Sequence, residues 1–265
     1  MTRVVAIVLV RNEDIFIDRA LRNVLPACDE MLIADNLSTD NTPAILEAIR
    51  RDFPDKVTVR RVTDPSESHA MVAPLTGTDT WIFGVDGDEI YDGERLKGFF
   101  DQLRGGLYRD RWMILGNVLN VAEMGDDHKV ATGYLAPPCR SMTKLYNFAA
   151  IDEWGDRCPE RLHGGNVKFR PGYDSMKRVF LHDEVSWADA AFRCLHLCFL
   201  RRSSQDKADP GVRKNIMDNQ VRNWRKLFKQ VRNWYQKKSS ACWKNEVYRR
   251  GEPVTLPVGE FFDRA

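Results

Sequence analysis

The chain has 265 residues, of which 43% are hydrophobic and 29% charged, and its formal net charge is +2. This hydrophobic content is enough to bury a core and excludes an intrinsically disordered chain. No apolar run approaches the roughly 20 residues needed to span a bilayer. The six cysteines form no CxxC pair, so we expect reduced thiols and no structural zinc site.

The charge is unevenly distributed along the chain. Residues 212–250 carry twelve lysines and arginines against only Asp218 and Glu246, whereas the rest of the chain carries 28 basic and 36 acidic side chains. The near-neutral total therefore combines an acidic body with a basic tail.

The first hundred residues alternate between strand-like and helix-like segments. The apolar run from Val4 to Val10 is too short for the core of a signal peptide, so it predicts a first strand and a cytoplasmic location. The other predicted strands are 30–35, 56–62 and 80–86, and the predicted helices begin after Asn12, at Thr42 and at Ser66. Such alternation predicts an open, mixed but mainly parallel α/β sheet flanked by helices.

Polar side chains follow three of these strands directly. Asn12 and Glu13 follow the first strand, Asp35 ends the second, and Asp86 and Asp88 follow the fourth. Ligands of open α/β sheets bind at the carboxyl ends of the strands. We therefore expect the three clusters to meet at one edge of the sheet.

Beyond Gly105 the pattern is less regular. Strands are predicted within 111–120, 140–148, 179–182 and 192–200, with a loop over 123–138. A polar segment follows, and residues 212–250 show the spacing of one or two helices. These segments predict one domain over 1–205, with a regular half (1–100) and a less regular half (101–205), and a helical extension over 206–265.

Asp86 and Asp88 form an Asp-x-Asp motif at the exit of a buried strand. Crowded carboxylates repel one another unless water or a cation compensates them. Their hard oxygen atoms favour Mg²⁺ or Mn²⁺, an ion that such sites often share with a substrate diphosphate. The alternative is a solvated turn that binds no metal.

A family resemblance is carried by three stretches: VVAIVLVRNEDIFIDRALRNVL, EMLIADNLSTDNTPAIL and WIFGVDGDEI. In this order they resemble the nucleotide-diphospho-sugar-binding half of glycosyltransferase family 2, which has the GT-A fold. The matching motifs are Asn12-Glu13, the Asp-rich turn over 35–42, and Asp86-Gly87-Asp88, and the resemblance covers roughly residues 3–100.

The resemblance implies that residues 1–205 are a GT-A catalytic domain, with a nucleotide-sugar-binding half (1–100) and an acceptor-side half (101–205). It also implies roles for several of these residues. Asp35 would contact the nucleotide base together with the Asn12-Glu13 turn, Asp86 would lie near the ribose or the metal, and Asp88 would bind the metal. Two departures from the family, Arg11 and Leu37 in place of a usual aromatic residue and a usual glycine, leave the base open.

Parts of the 35–42 segment have a structural alternative, an Asx turn followed by a helix cap. We favour this alternative for Asp40 and Thr42, and ligand binding for Asp35.

The family also implies a late histidine and a general base. His196 is the first candidate for a further metal ligand, with His182 as its competitor, and Arg201-Arg202 is a candidate contact for the diphosphate. A buried histidine that binds no metal is the alternative for His196.

An inverting transfer requires a carboxylate that takes the proton of the acceptor hydroxyl. Glu160 is the first candidate, because Pro159-Glu160 resembles a His-Glu pair of some relatives, and Asp156 is the second. The alternative is that both only pair with Arg157 and Arg161 at the surface.

The basic tail has two interpretations. Trp224, Trp234 and Tyr235 lie at helical spacing and would dock on the body, which is the interpretation that we favour. Alternatively, residues 212–250 lie on the anionic inner face of a membrane and bring a lipid-linked acceptor to the site. Without a recognisable module, nucleic-acid binding is not expected.

The motifs and the resemblance together predict a metal-dependent glycosyltransferase that uses a nucleotide-diphosphate sugar and Mn²⁺ or Mg²⁺. That the transfer is inverting is implied by the resemblance alone. The acceptor would be a glycan, a lipid-linked molecule or a small molecule. The alternatives are a noncatalytic protein that binds a glycan or nucleotide and is anchored by the basic tail, or a phosphatase.

Overall fold

The computed structural model of the chain describes residues 1–139, 144–154, 167–207 and 246–262. The α-helices of residues 1–139 are α1 (Ile17–Val24), α2 (Thr42–Asp52), α3 (Glu67–Val72) and α4 (Gly93–Arg104). The strands are β1 (Arg3–Val10), β2 (Glu30–Asp35), β3 (Val57–Arg61), β4 (Thr80–Val85), β5 (Glu89–Tyr91), β6 (Met113–Leu115), β7 (Asn117–Met124), β8 (Val130–Leu135), β9 (Lys144–Asn147), β10 (Ile151–Trp154), β11 (Val167–Phe169), β12 (Arg178–Phe180), β13 (Arg193–His196) and β14 (Val254–Pro257).

The main sheet has seven strands in the order β12-β6-β9-β4-β1-β2-β3. Strands β4, β1, β2 and β3 are mutually parallel, and β9 runs antiparallel to both of its neighbours. The interior strand β1 is a run of β-branched and aliphatic residues, buried at every position after Arg3. Such a run suits a strand that is covered on both faces. The sheet confirms the α/β fold class predicted from the sequence.

The two faces of β1 pack against different helices. Val4, Ala6 and Val8 belong to a core cluster with buried side chains of α1, α2 and α4. Val5 and Ile7 face the other side and share a cluster with Val72 of α3. Full burial of each such aliphatic side chain contributes about 1.5–3 kcal/mol, so these clusters hold the strand ends in fixed positions.

A second sheet of five strands has the order β14-β8-β7-β13-β5. The single strand predicted within 111–120 is wrong: β6 joins the main sheet and β7 the second sheet, with Gly116 between them. A Cβ atom on Gly116 would lie 2.5 Å from the carbonyl oxygen of Phe192, so glycine permits this close approach. The predicted loop over 123–138 is also wrong, because β8 forms an antiparallel hairpin with β7.

The end of the chain returns to the body. Residues 254–257, which the sequence placed in a helical extension, form β14 and pair antiparallel with β8. Val258 and Phe261 are fully buried in the same cluster as β7. Most of the predicted basic helices over 212–250, namely residues 212–245, lie outside the described residues. Among the helices that are described, none is both long and apolar enough to cross a bilayer.

Candidate active site

The carboxyl ends of three parallel strands lie side by side. Strand β1 lies between β2 and β4, with Val10 opposite Asp35 and Val8 opposite Val85. The residues that follow these strands therefore meet at one edge of the main sheet, as the alternating pattern predicted.

The loops after β1 and β2 are joined by hydrogen bonds. The backbone N–H of Asn12 donates to Oγ of Ser38 (3.0 Å), and Oδ1 of Asn12 accepts from the N–H of Thr39 (2.8 Å). The N–H of Glu13 donates to Oγ1 of Thr42 (2.8 Å). Asn12 has a positive φ of 54°, which asparagine tolerates better than most residues. The Asn-Glu turn is thus fixed against the Asp-rich turn.

Asp35 lies beneath this pair of loops and is buried. Its Oδ1 accepts a hydrogen bond from the N–H of Ser38 (3.1 Å), so one carboxylate oxygen stabilises the turn. Oδ1 of Asp40 accepts from the N–H of Thr42 (3.0 Å), as expected for the turn and cap that the sequence favoured at these positions. The ligand contact predicted for Asp35 stays a prediction.

The loop after β4 packs closely on the loop after β1. A Cβ atom on Gly87 would lie 2.6 Å from Oε2 of Glu13 and 2.8 Å from Cδ1 of Ile17. Only glycine fits between these side chains without displacing them. The glycine of the Asp-Gly-Asp motif therefore brings the Glu13 carboxylate next to the motif.

The second sheet brings His196 to Asp88. Strand β13 pairs antiparallel with β5 so that His196 lies opposite Glu89, and the N–H of Leu197 donates to the carbonyl oxygen of Asp88 (2.8 Å). Nε2 of His196 lies 3.6 Å from Oδ2 of Asp88, and both side chains are almost fully buried. The second sheet thus places this late histidine beside the Asp-x-Asp motif, and the metal binding predicted for His196 stays a prediction.

Asn120 orients the histidine ring. Strand β7 runs parallel to β13 with Asn120 opposite His196, and Nδ1 of His196 lies 2.7 Å from Oδ1 of Asn120. An amide oxygen has no proton to donate, so Nδ1 of His196 carries the proton of this bond. In the neutral ring, Nε2 then carries a lone pair on the side of Asp88. Histidine ligands of metals are typically oriented in this way.

The remaining acids of the motif have different surroundings. Asp86 is partly exposed, whereas Glu89 is buried, accepts from the Tyr91 hydroxyl (2.7 Å) and lies 3.4 Å from the N–H of Asp86. Asp92 caps α4 by accepting from the N–H of Arg95 (3.3 Å), and it also accepts from Arg193 (2.9 Å). Glu89 and Asp92 therefore have local structural partners.

Arg202 compensates Asp88 directly. Its Nη1 donates to Oδ2 of Asp88 in a short hydrogen bond and lies 3.7 Å from Oε1 of Glu13. The guanidinium is largely buried, which alone would lower the pKa of Arg202, but the charges of Asp88 and then Glu13 raise it above its ordinary value. Arg202 is therefore permanently charged and bridges the loops after β1 and β4.

The segment that carries Arg202, residues 201–206, is attached to the same loops. Oγ of Ser203 donates to Oδ2 of Asp40 (2.6 Å), and the N–H of Ser204 donates to Oδ1 of Asp14 (2.7 Å). The neighbouring Arg201 is exposed, and its Nε donates to the carbonyl oxygen of Ser203 (3.0 Å). Arg202, rather than Arg201, is the arginine at Asp88, and the diphosphate contact predicted for Arg201 stays a prediction.

Other predicted site residues fall elsewhere or are not described. His182 follows β12 at the edge of the main sheet, and its Nε2 lies 3.5 Å from Oδ1 of Asp183. Asp156 and Glu160, the candidates for the general base, lie outside the described residues. Within the part of the chain that is described, no group of three or more His, Cys, Asp or Glu side chains is arranged to hold a metal ion.

Sequence reasoning missed Asn120 and gave Arg202 only as the companion of Arg201. Asn120 lies in a predicted strand with no motif to single it out. For Arg202, the available signal was a basic pair shortly after His196, but only the path of the backbone decides which arginine turns inward.

Comparison with known proteins agrees with the motifs. Residues 5–108 match the family model described as Glycosyl transferase family 2. An uncharacterized glycosyltransferase of Rickettsia felis is 25% identical over 187 residues, which cover 71% of this chain and 62% of the relative. A second, from Rickettsia conorii, is 23% identical over 185 residues, with coverages of 70% and 61%. The chain thus spans less than two thirds of the length of these relatives.

Two solved structures show weaker similarity. S. aureus TarS 1-349 is 18% identical with a TM-score of 0.38, and the match covers 56% of this chain and 48% of that one. Glucosyl-3-phosphoglycerate synthase from Mycobacterium tuberculosis, in complex with Mn²⁺ and UDP-glucose, is 16% identical with a TM-score of 0.33 and a coverage of 43% of each chain.

The three motifs occur in the order typical of the family, and the strands that carry them run parallel and end at the same edge of the sheet. The family match covers the same strands and the helices between them. Residues 5–108 of this chain are therefore similar to glycosyl transferase family 2, both in the family match and in the order of the three motifs.

Proposed function

We propose that this chain is a metal-dependent, inverting glycosyltransferase that moves a sugar from a nucleotide-diphosphate donor to an acceptor hydroxyl. The observation that carries the proposal is the meeting of Asn12-Glu13, Asp35 and Asp86-Gly87-Asp88 at one sheet edge, with His196 brought to Asp88 by the second sheet. The family match over the same residues supports it.

The side chains around Asp88 carry donor atoms of the kinds that a divalent cation binds, although the described part of the structure does not arrange three of them as a metal site. Asp88 supplies a buried carboxylate, Asp86 lies two residues earlier in the same turn, and His196 has its Nδ1–H fixed by Asn120. Oxygen ligands with one imidazole are compatible with Mn²⁺ or Mg²⁺. The ion would neutralise negative charge on the leaving diphosphate. In this proposal Asp88, His196 and Asp86 hold the ion.

The nucleoside would lie against the loops after β1 and β2. Asp35 is buried below them, and the Asn12-Glu13 turn is fixed by Ser38, Thr39 and Thr42. A preorganised site of this kind loses little conformational entropy when it binds a ligand. We therefore assign Asp35 and the Asn12-Glu13 turn to the nucleoside, and Arg201 to the diphosphate as a proposal from the sequence.

The acceptor hydroxyl requires a base on the sugar face opposite the leaving group. Glu160 is our first candidate and Asp156 the second, both from the family resemblance. The carboxylate would take the proton of the hydroxyl as its oxygen attacks the anomeric carbon. Inversion at that carbon is part of the proposal, as are a glycan, lipid-linked or small-molecule acceptor and a cytoplasmic location. For residues 212–250 we propose docking on the body, with contact to the inner face of a membrane as the alternative.

Thermal unfolding with a panel of nucleotide sugars tests the proposal. A ligand that binds only the native state raises Tm, by an amount equivalent to about 2.7 kcal/mol at a hundred times its Kd. We expect at least one of the UDP-, GDP- and dTDP-sugars to raise Tm with Mn²⁺ present, and Asp35→Ala to reduce that shift. No shift with any sugar would contradict the proposal. A shift in Tm without turnover would favour a noncatalytic binding protein. Release of inorganic phosphate from sugar phosphates would favour a phosphatase.

A further inference from the structure

Arg202 occupies the carboxylate that the proposed metal needs. The side chain of Asp88 is 3% exposed and that of Arg202 is 13% exposed, so both charges are largely withdrawn from water. A buried carboxylate is costly unless a cation compensates it. In the structure the guanidinium supplies that compensation.

A divalent cation and Arg202 would compete for the same oxygen atom. Oδ2 of Asp88 is the atom that accepts from Nη1 of Arg202, and it is also the carboxylate oxygen 3.6 Å from Nε2 of His196. An ion held between Asp88 and His196 would place its charge next to the guanidinium, and like charges repel strongly in a poorly solvated site. Metal binding through Oδ2 of Asp88 therefore requires that the guanidinium leave this atom.

The backbone of Arg202 is held by hydrogen bonds that do not involve its guanidinium. Its carbonyl oxygen accepts from the N–H of Ile15 (3.1 Å), and its own N–H donates to Oδ2 of Asp206 (3.1 Å). Oε1 of Glu13 lies 3.7 Å from Nη1 of Arg202, but Glu13 offers the guanidinium one carboxylate only. A diphosphate that arrives with the cation would present several oxygens, and the guanidinium fork pairs well with phosphate.

We propose that Arg202 is an exchangeable counter-ion: it neutralises Asp88 in the ligand-free protein and transfers to the donor diphosphate when the divalent cation takes its place. This inference rests on the proposed function. Its consequence is that cation and nucleoside diphosphate bind cooperatively, and that the cation alone binds weakly. Arg202 is then a binding residue of the donor site and also a competitor of the metal.

Mn²⁺ titration without nucleotide tests the competition. Free Mn²⁺ is followed by electron paramagnetic resonance for the wild type, for Arg202→Gln and Arg202→Met, and for the control Arg104→Met. Arg104 also pairs with two aspartates, Asp29 and Asp101, but on α4. We expect both Arg202 variants to bind Mn²⁺ at least about tenfold more tightly than the wild type, within the 5–150-fold range of typical couplings, and Arg104→Met to bind like the wild type.

The titration is then repeated with UDP, GDP and dTDP. In the wild type, Mn²⁺ should lower the Kd of at least one nucleoside diphosphate. The Arg202 variants should bind the diphosphate more weakly, and the ratio of its Kd without Mn²⁺ to its Kd with Mn²⁺ should fall toward one. A merely structural arginine would weaken both ligands together. Arg202→Gln keeps hydrogen-bond donors near Asp88, so it tests the proposal even if Arg202→Met fails to fold.

Unchanged or weaker Mn²⁺ binding by folded Arg202→Gln would overturn the inference. Failure of the proposed function has a different signature, because no nucleoside diphosphate would then bind the wild type with or without Mn²⁺. The nucleotide-free titration would still show whether Arg202 and the cation compete for Asp88.

Discussion

Replacement of Asp88 by asparagine should destabilise the protein far more than loss of an ordinary surface charge. The change removes the carboxylate that accepts from Arg202 and leaves the largely buried guanidinium with Glu13, 3.7 Å away, as its remaining acidic neighbour. Breaking a buried ion pair costs roughly 3–5 kcal/mol, whereas an exposed pair contributes about 0.2–1 kcal/mol. Because Glu13 remains, we expect a loss of about 3 kcal/mol.

This loss is measured by urea denaturation, monitored by tryptophan fluorescence, with the slope m the same for all variants. The matched control is Asp101→Asn, because Asp101 is 61% exposed and pairs with Arg104 at 2.8 Å. Asp88→Asn combined with Arg202→Met removes both charges and should recover most of the loss, giving a coupling of at least about 2 kcal/mol. A loss below about 1 kcal/mol, or one equal to that of Asp101→Asn, would refute the buried ion pair.

Three further changes test other parts of the structure. Gly87→Ala should destabilise by about 1–3 kcal/mol through overpacking against Glu13, whereas Gly98→Ala, whose Cβ meets nothing within 4 Å, should stabilise α4 by about 0.5–1 kcal/mol; equal urea midpoints would contradict the packing of the motif. Leu37→Gly should stabilise the protein by about 1 kcal/mol, because glycine relieves the strain of the left-handed backbone at φ 55°, whereas Leu37→Ala keeps that strain. A loss of stability in Leu37→Gly would refute the strain at this position. Burial raises the pKa of Cys28 to about 12, so iodoacetamide at pH 8 should label this thiol much faster in urea than in the native protein, as measured by mass spectrometry; equal rates would contradict its burial.

The main sheet and its converging strand ends were predictable because their signals are local. Short β-branched runs followed directly by polar residues indicate buried parallel strands, and parallel strands end at the same edge. Asn12-Glu13, Asp35 and Asp86-Gly87-Asp88 could therefore be placed together from the sequence.

The second sheet was not predictable, because its pairings are distant in sequence and its strands are short. Strand β5 has three residues and pairs with β13 about a hundred residues later. Gly116 divides one apolar run between two sheets, and only the close approach of Phe192 reveals why. Asn120 and Arg202 reach the site through this sheet and the segment after it, so their roles depend on tertiary structure.

Leu37 shows a local rule overridden by its surroundings. The sequence departs from its family at this position, where glycine is usual, yet the backbone retains a left-handed conformation. The neighbouring hydrogen bonds of Asp35 and Ser38 hold the turn in place. The cost of a leucine in that conformation is about 1–2 kcal/mol, which the rest of the fold must offset.

Donor turnover without an acceptor tests the central claim most directly. Release of nucleoside diphosphate is measured with the sugar donor that raises Tm most, with and without Mn²⁺, for the wild type and for Asp88→Asn at a temperature where circular dichroism shows both folded. The proposed site predicts Mn²⁺-dependent release by the wild type and a loss of roughly 100-fold or more in Asp88→Asn. Equal release by both proteins would contradict the central claim. So would the absence of release with every donor, whether or not Mn²⁺ is present.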